Sequence, residues 1–153
     1  MPQATRDHCR AYFEPDGSLR DIYVFSTTIQ DWQAVLDEVR RAGFRLKFEV
    51  DGVPAPVPID VASTFDRSAT RMLSIDVDGI VVNAHFFTQD EIELDIEPRE
   101  VDSAKRFKSL RRFLALVGRS TKKPVVLTEE SLPEEPLLRY EPDSDALVLL
   151  RAG

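Results

Sequence analysis

Apolar residues recur along the chain with two periods, and each period predicts a kind of element. In TTIQDWQAVLDEVRRAG, residues 27–43, Ile29, Trp32, Leu36 and Val39 return at three- and four-residue steps, the spacing that lines one face of an α-helix. Thr27 with Gln30 suits a capping box at its start, and Gly43 suits the residue just past its end. In DSAKRFKSLRRFLALVG, residues 102–118, the stripe is Phe107, Leu110, Phe113, Leu114 and Val117. Asp102 is the expected N-cap and Gly118 the expected stop. The aromatic residues of both stripes are expected in the core.

Elsewhere the period is two. EPDGS at 14–18 predicts a turn joining a strand at AYF to one at LRDIYVFS, and EPDSD at 141–145 predicts another between LLRY and ALVLL. FRLKFEV follows the first helix and PVVLTEE the second, while VPAPVPI is too rich in proline for a central strand and suits an edge or a crossing loop. The apolar runs VVL and ALVLL suggest inner strands covered on both faces.

A two-residue turn at Asp78-Gly79 sets the sharpest register. It pairs Val77 with Ile80, Ile75 with Val82 and Leu73 with Ala84, all apolar and all on one face. A three-residue loop at 88–90 then returns EIELDIE with Ala84 opposite Leu94. The other face carries rows of Met72, His85 and Glu93, of Ser74, Asn83 and Asp95, and of Asp76, Val81 and Glu97.

These elements predict an α+β fold with a mixed, mainly antiparallel sheet and two helices packed on one side. The order is ββαβ followed by βββαββ, in one domain spanning 1–153. Its halves, about 8–53 and 70–150, are joined by a proline-rich connection at 54–69. Residues 11–50 and 80–128 share a strand-pair, helix, strand pattern, which fits either an internal pseudo-repeat or a recurring architecture.

Charge changes the picture more than composition does. Hydrophobic residues make up 42% and charged residues 31%, values of an ordinary globular chain. The net charge is −7, yet residues 105–123 carry +8, leaving −15 on the rest. Segments 90–104 and 124–145 are −6 each. The plain reading is of solvated or mutually neutralising faces. The basic helix offers Lys105, Lys108, Arg112, Arg119, Lys122 and Lys123 to a nucleic acid, but its aromatics belong to the buried stripe, no recognisable module surrounds it, and the acidic remainder repels phosphate. Nucleic acid and membrane are therefore not expected partners. One cysteine, Cys9, and a start without an apolar leader core suggest a cytoplasmic protein. An excess of Arg over Lys, fifteen to five, fits bacterial coding.

Candidate chemistry is sparse. MLSIDVDGIVVN, residues 72–83, resembles the D-x-D-G strand of haloacid-dehalogenase-type phosphatases, in which the first Asp is the nucleophile. The resemblance covers about eight residues and departs where Ile80 stands for a threonine, after which another strand follows. Asp78-Gly79 is accordingly expected to be a hairpin turn. GRSTKK at 118–123 follows a helix and lacks phosphate-loop spacing. Cys9 with His8 or His85 has no base-orienting partner in the pattern.

Two functional expectations follow. The first is an acidic interaction or inhibitor protein, analogous in size and charge to immunity-type proteins, that binds a basic protein partner through Glu91, Glu93, Asp95, Glu129, Glu130, Glu134 and Glu135. In that reading there is no catalytic residue, metal or cofactor, and self-association stays open. The alternative is a small metal-dependent hydrolase using Asp76, His85, Glu93 and Asp95, with His85 oriented by Glu93.

Overall fold

The computed structural model describes residues 3–151. Among the described residues nine strands form one sheet: β1 Arg20–Phe25, β2 Arg45–Val50, β3 Val53–Ala55, β4 Arg71–Val77, β5 Ile80–His85, β6 Glu91–Ile96, β7 Val125–Glu129, β8 Pro136–Glu141 and β9 Ala146–Leu149. The α-helices described are α1 Arg6–Cys9, α2 Ile29–Arg41 and α3 Ala104–Thr121. The strand order is β3-β2-β4-β5-β6-β1-β7-β8-β9. Every described strand pairing is antiparallel. The α+β class and the largely antiparallel sheet are as expected, whereas a parallel pairing across a helical crossover does not occur. Neither helix connects neighbouring strands, so neither crossover imposes one.

The long helices share one face of the sheet. Val35 and Val39 of α2 and Phe113 of α3 meet Ile75, Ala84 and Leu94 around a residual void of about 20 Å³. The inner side chains of β4, β5 and β6 alternate strictly with their partly exposed neighbours. Burying each such Leu or Ile contributes about 1.5–3 kcal/mol. The Asp78-Gly79 hairpin has the predicted pairing throughout, Val77 with Ile80 to Met72 with His85. Both turn residues have positive φ, 53° and 97°, as a type I′ turn requires. Asp76 Oδ1 accepts the Gly79 N–H at 2.8 Å, and Ser109 of α3 donates to Asp78 Oδ2 at 2.9 Å. The motif is a turn docked on a helix.

Several local expectations are corrected. AYF is no strand: residues 10–13 form a 3₁₀ turn with Tyr12 and Phe13 buried. Arg20, only 3% exposed, gathers the segment by donating to Tyr12 O, Glu14 O, Asp16 and Ser18 Oγ. Those carbonyls are thereby lost to any ladder, and β1 pairs with β6 and β7 at the middle of the sheet. Three strands, not two, follow α3. ALVLL is not an inner strand but β9, at the sheet's edge. Its outer side is partly covered, because Ala4 N donates to Leu147 O and Leu147 N to Gln3 Oε1. The opposite edge is the short β3, with Pro54 within it and Pro56 just past its end.

Gly43, φ 79°, follows the C-cap of α2 as expected, whereas the other ends of the long helices shift by a residue or more. Thr28 and Asp31 form the capping box of α2, while Thr27 donates to Gln89 O at 2.7 Å. Ser103 rather than Asp102 caps α3. Gly118 does not stop that helix, which continues to Thr121 and ends at Lys122, φ 58°. Gly118 is needed for space: a Cβ there would lie 2.7 Å from the Tyr140 ring.

Candidate functional site

The face away from the helices is where β1, β5 and β6 set their polar residues side by side. Asp21, Tyr23 and Phe25 of β1 stand opposite Asp95, Glu93 and Glu91 of β6. On the other side of β6, Asn83 and His85 of β5 stand opposite Asp95 and Glu93. Strands are spaced by about 4.8 Å, so four carboxylates and one imidazole share a small area.

A hydrogen-bonded chain crosses it. Ser74 Oγ donates to Asn83 Oδ1 at 2.8 Å, Asn83 Nδ2 donates to Asp95 Oδ1 at 3.1 Å, and His85 Nε2 lies 2.5 Å from Asp95 Oδ2. The partner that orients His85 is thus Asp95, one row along, and not Glu93 directly opposite. The His85 ring stacks on Phe87, with centroids 5.2 Å apart and planes 4° from parallel. Asp95 holds the His85 proton and raises its pKa, against the effect of burial and with help from the negative charges of Glu93 and Asp21.

Asp21 and Tyr23 are site residues that the sequence reading missed. Asp21, 7% exposed, accepts from Tyr23 OH at 3.1 Å and from Ser131 N at 2.8 Å. Burial raises its pKa, and the charges of Asp95 and Glu130 add to that. The alternation R-D-I-Y-V-F was the available signal, but the expected hairpin with AYF hid the strand's true neighbours. Burial likewise raises Glu93 and Glu91, reinforced for Glu93 by Asp21 and Glu91 and for Glu91 by Asp90. Among the described residues no Lys or Arg forms an ion pair with Glu91 or Glu93, in contrast to Glu49, whose carboxylate meets Lys47 at 3.0 Å.

The other candidates sit apart. Asp76 is committed to its turn. The acids of 129–135 reach the cluster only through Ser131 and Glu130, and Glu130 also accepts from Leu19 N at 2.6 Å. Glu129 and Glu135 line a cleft of about 330 Å³ near Tyr12 and Arg20, with Arg151 3.7 Å from Glu135. Glu134 is exposed on the same loop. Among the described residues no three His, Cys, Asp or Glu side chains gather as metal ligands. Cys9 is fully buried and its thiol is pushed up to about 11 by burial, whereas His8 is exposed. On the helical side, Arg119 meets Asp145 and Lys123 meets Asp31, each at 2.9 Å. The larger clefts, about 710, 330 and 270 Å³, are lined by residues outside the His85 face.

Among the described residues no helix is long and apolar enough to cross a membrane. Compared with known protein families, curated proteins and solved structures, the chain shows no significant match to any. Its function has to be argued from its own side chains.

Proposed function

We propose that this is an interaction protein of the inhibitor or immunity type, whose open sheet face meets a basic surface of a protein partner. One observation carries the reading: Glu91, Glu93 and Asp95 lie together, half-buried, on the face away from the helices and beside the buried Asp21, and of these acids only Asp95 is hydrogen-bonded to a cationic group. The raised pKa values of Asp21, Glu91 and Glu93 mean that their charged forms are under-compensated within the chain. A partner's Lys or Arg supplies that compensation, and complementary charge speeds and orients the encounter. The neighbouring Glu130 and the loop acids Glu129, Glu134 and Glu135 extend the negative field toward the end of β7. A cytoplasmic setting goes with this reading, since the lone Cys9 has no disulfide to form.

The test is partner capture from the source cell with the native chain and with the double variant Glu91→Lys, Glu93→Lys. The expected result is a partner held at low salt, released as salt rises and lost in the variant. A partner retained equally by the variant removes this face from the interaction.

A further inference from the structure

The open face holds a feature that charge alone does not account for. Most large apolar side chains of this chain are buried, yet Phe25 is 40% and Phe87 60% exposed. Each is the outer member of a stacked pair. Tyr23 and Phe25 lie 5.4 Å apart with planes 13° from parallel, and His85 and Phe87 lie 5.2 Å apart. Tyr23 and Phe25 stand on β1, and His85 ends β5 with Phe87 two residues beyond it; β1 and β5 are the two strands flanking β6. Glu91 and Glu93 project from β6 between them, opposite Phe25 and Tyr23 on one side and, for Glu93, opposite His85 on the other.

We infer that Glu91 and Glu93, walled by the Tyr23–Phe25 and His85–Phe87 stacks, receive an arginine side chain of the basic partner. This rests on the proposed function and narrows it to one anchoring contact. The flanking strands are two spacings apart, about 10 Å, leaving a strip about one side chain wide. A guanidinium suits it better than an ammonium: it is planar, weakly hydrated, stacks on aromatic faces and can bond a carboxylate through two N–H groups. A bare divalent cation would use the carboxylates and gain nothing from the exposed rings. The His85 ring forms one wall of the strip with its Nε2 hydrogen-bonded to Asp95, so it makes no hydrogen bond to Glu93. Buried aromatic–arginine anchors of this kind supply much of the energy of many interfaces.

The probe is a capped tetra-arginine peptide, with capped tetra-lysine as its control, titrated into the full chain at low salt. Backbone amide and aromatic ring resonances are followed by NMR. The expected shifts centre on residues 91–93 and on the rings of Tyr23, Phe25 and Phe87, with arginine bound at least about threefold tighter than lysine. Phe87→Ala and Phe25→Ala, both at exposed positions that should leave the fold intact, are expected to bring arginine down to the lysine level. Arginine binding confined to residues 129–135, or unchanged in both Phe variants, overturns the anchor while leaving an acidic docking protein in place. Failure of both peptides to bind at low salt overturns the anchor and the docking reading together.

Discussion

Strand β6 carries two surfaces on one backbone. Ile92, Leu94 and Ile96 point toward the helices and are at most 1% exposed, while Glu91, Glu93 and Asp95 alternate with them and stay half-buried on the open side. The same backbone geometry serves both, so the contrast lies in the neighbours. Inward, all three apolar side chains belong to the hydrophobic core, and α2 and α3 bring Val35, Val39 and Phe113 around Leu94. Outward, β6 meets aromatic rings, one histidine and further acids. Stability is therefore concentrated on one side of the strand and unmet charge on the other, and substitutions two residues apart should have unrelated consequences.

The largest effect is expected from Leu94→Ala, which empties a fully packed site beside an existing void and should cost about 2–5 kcal/mol in urea unfolding. A loss below about 1 kcal/mol would mean that the inner face is not the one that holds the fold. Gly118→Ala comes next. Alanine favours helix by about 1 kcal/mol in a free helix, but its methyl group would collide with the fully buried Tyr140 ring. The collision should prevail, with a net destabilisation of about 1–3 kcal/mol; a stabilised variant would show that Tyr140 can move aside.

On the outer face the effects are smaller and depend on pH. The folded pKa of His85 is raised, so its stabilisation is complete below the ordinary value of 6.5 and is lost as pH rises through the raised value. His85→Ala should accordingly cost about 1–2 kcal/mol near pH 5.5, and less near pH 9, in paired unfolding curves. An equal cost at both pH values would reduce the Asp95 pairing to simple packing. The smallest effect is opposite in sign. Glu93 is also raised, so its charge opposes folding above its folded pKa and not below the ordinary value of 4.5. Glu93→Gln should raise Tm at neutral pH by about 1–3 °C, with the gain vanishing below pH 4. A lowered Tm at neutral pH would show that Glu93 already has the counter-charge that the docking reading asks of a partner.

Much of the outer face was legible before the fold was known, for a definite reason. Asp78-Gly79 is a turn that sets its own register, and period-two alternation carries that register across β4, β5 and β6. The rows Met72–His85–Glu93 and Ser74–Asn83–Asp95 follow from counting. The position of β1 does not, because its pairing with residues 91–96 and 125–129 is decided by tertiary packing that leaves no local mark. Asp21, Tyr23 and Phe25 were invisible as neighbours for that reason. The preference of His85 for Asp95 over Glu93 depends on a ring turned to stack on Phe87, and a pattern of residue types contains no rotamers. Gly118 misled similarly: its local signal is that of a helix stop, whereas its place is set by Tyr140, far along the chain.

The cover that Gln3 and Ala4 give to β9 has a consequence for how the chain behaves in concentrated solution. An uncovered row of N–H and C=O groups along apolar Leu147 and Val148 is a template onto which another chain can zip. Prolines blunt the far rim at β3, but this rim depends on two residues before the first helix. Trimming the chain to begin after Ala4 should remove one small side chain from the core, bare the edge of β9 and favour self-association through it.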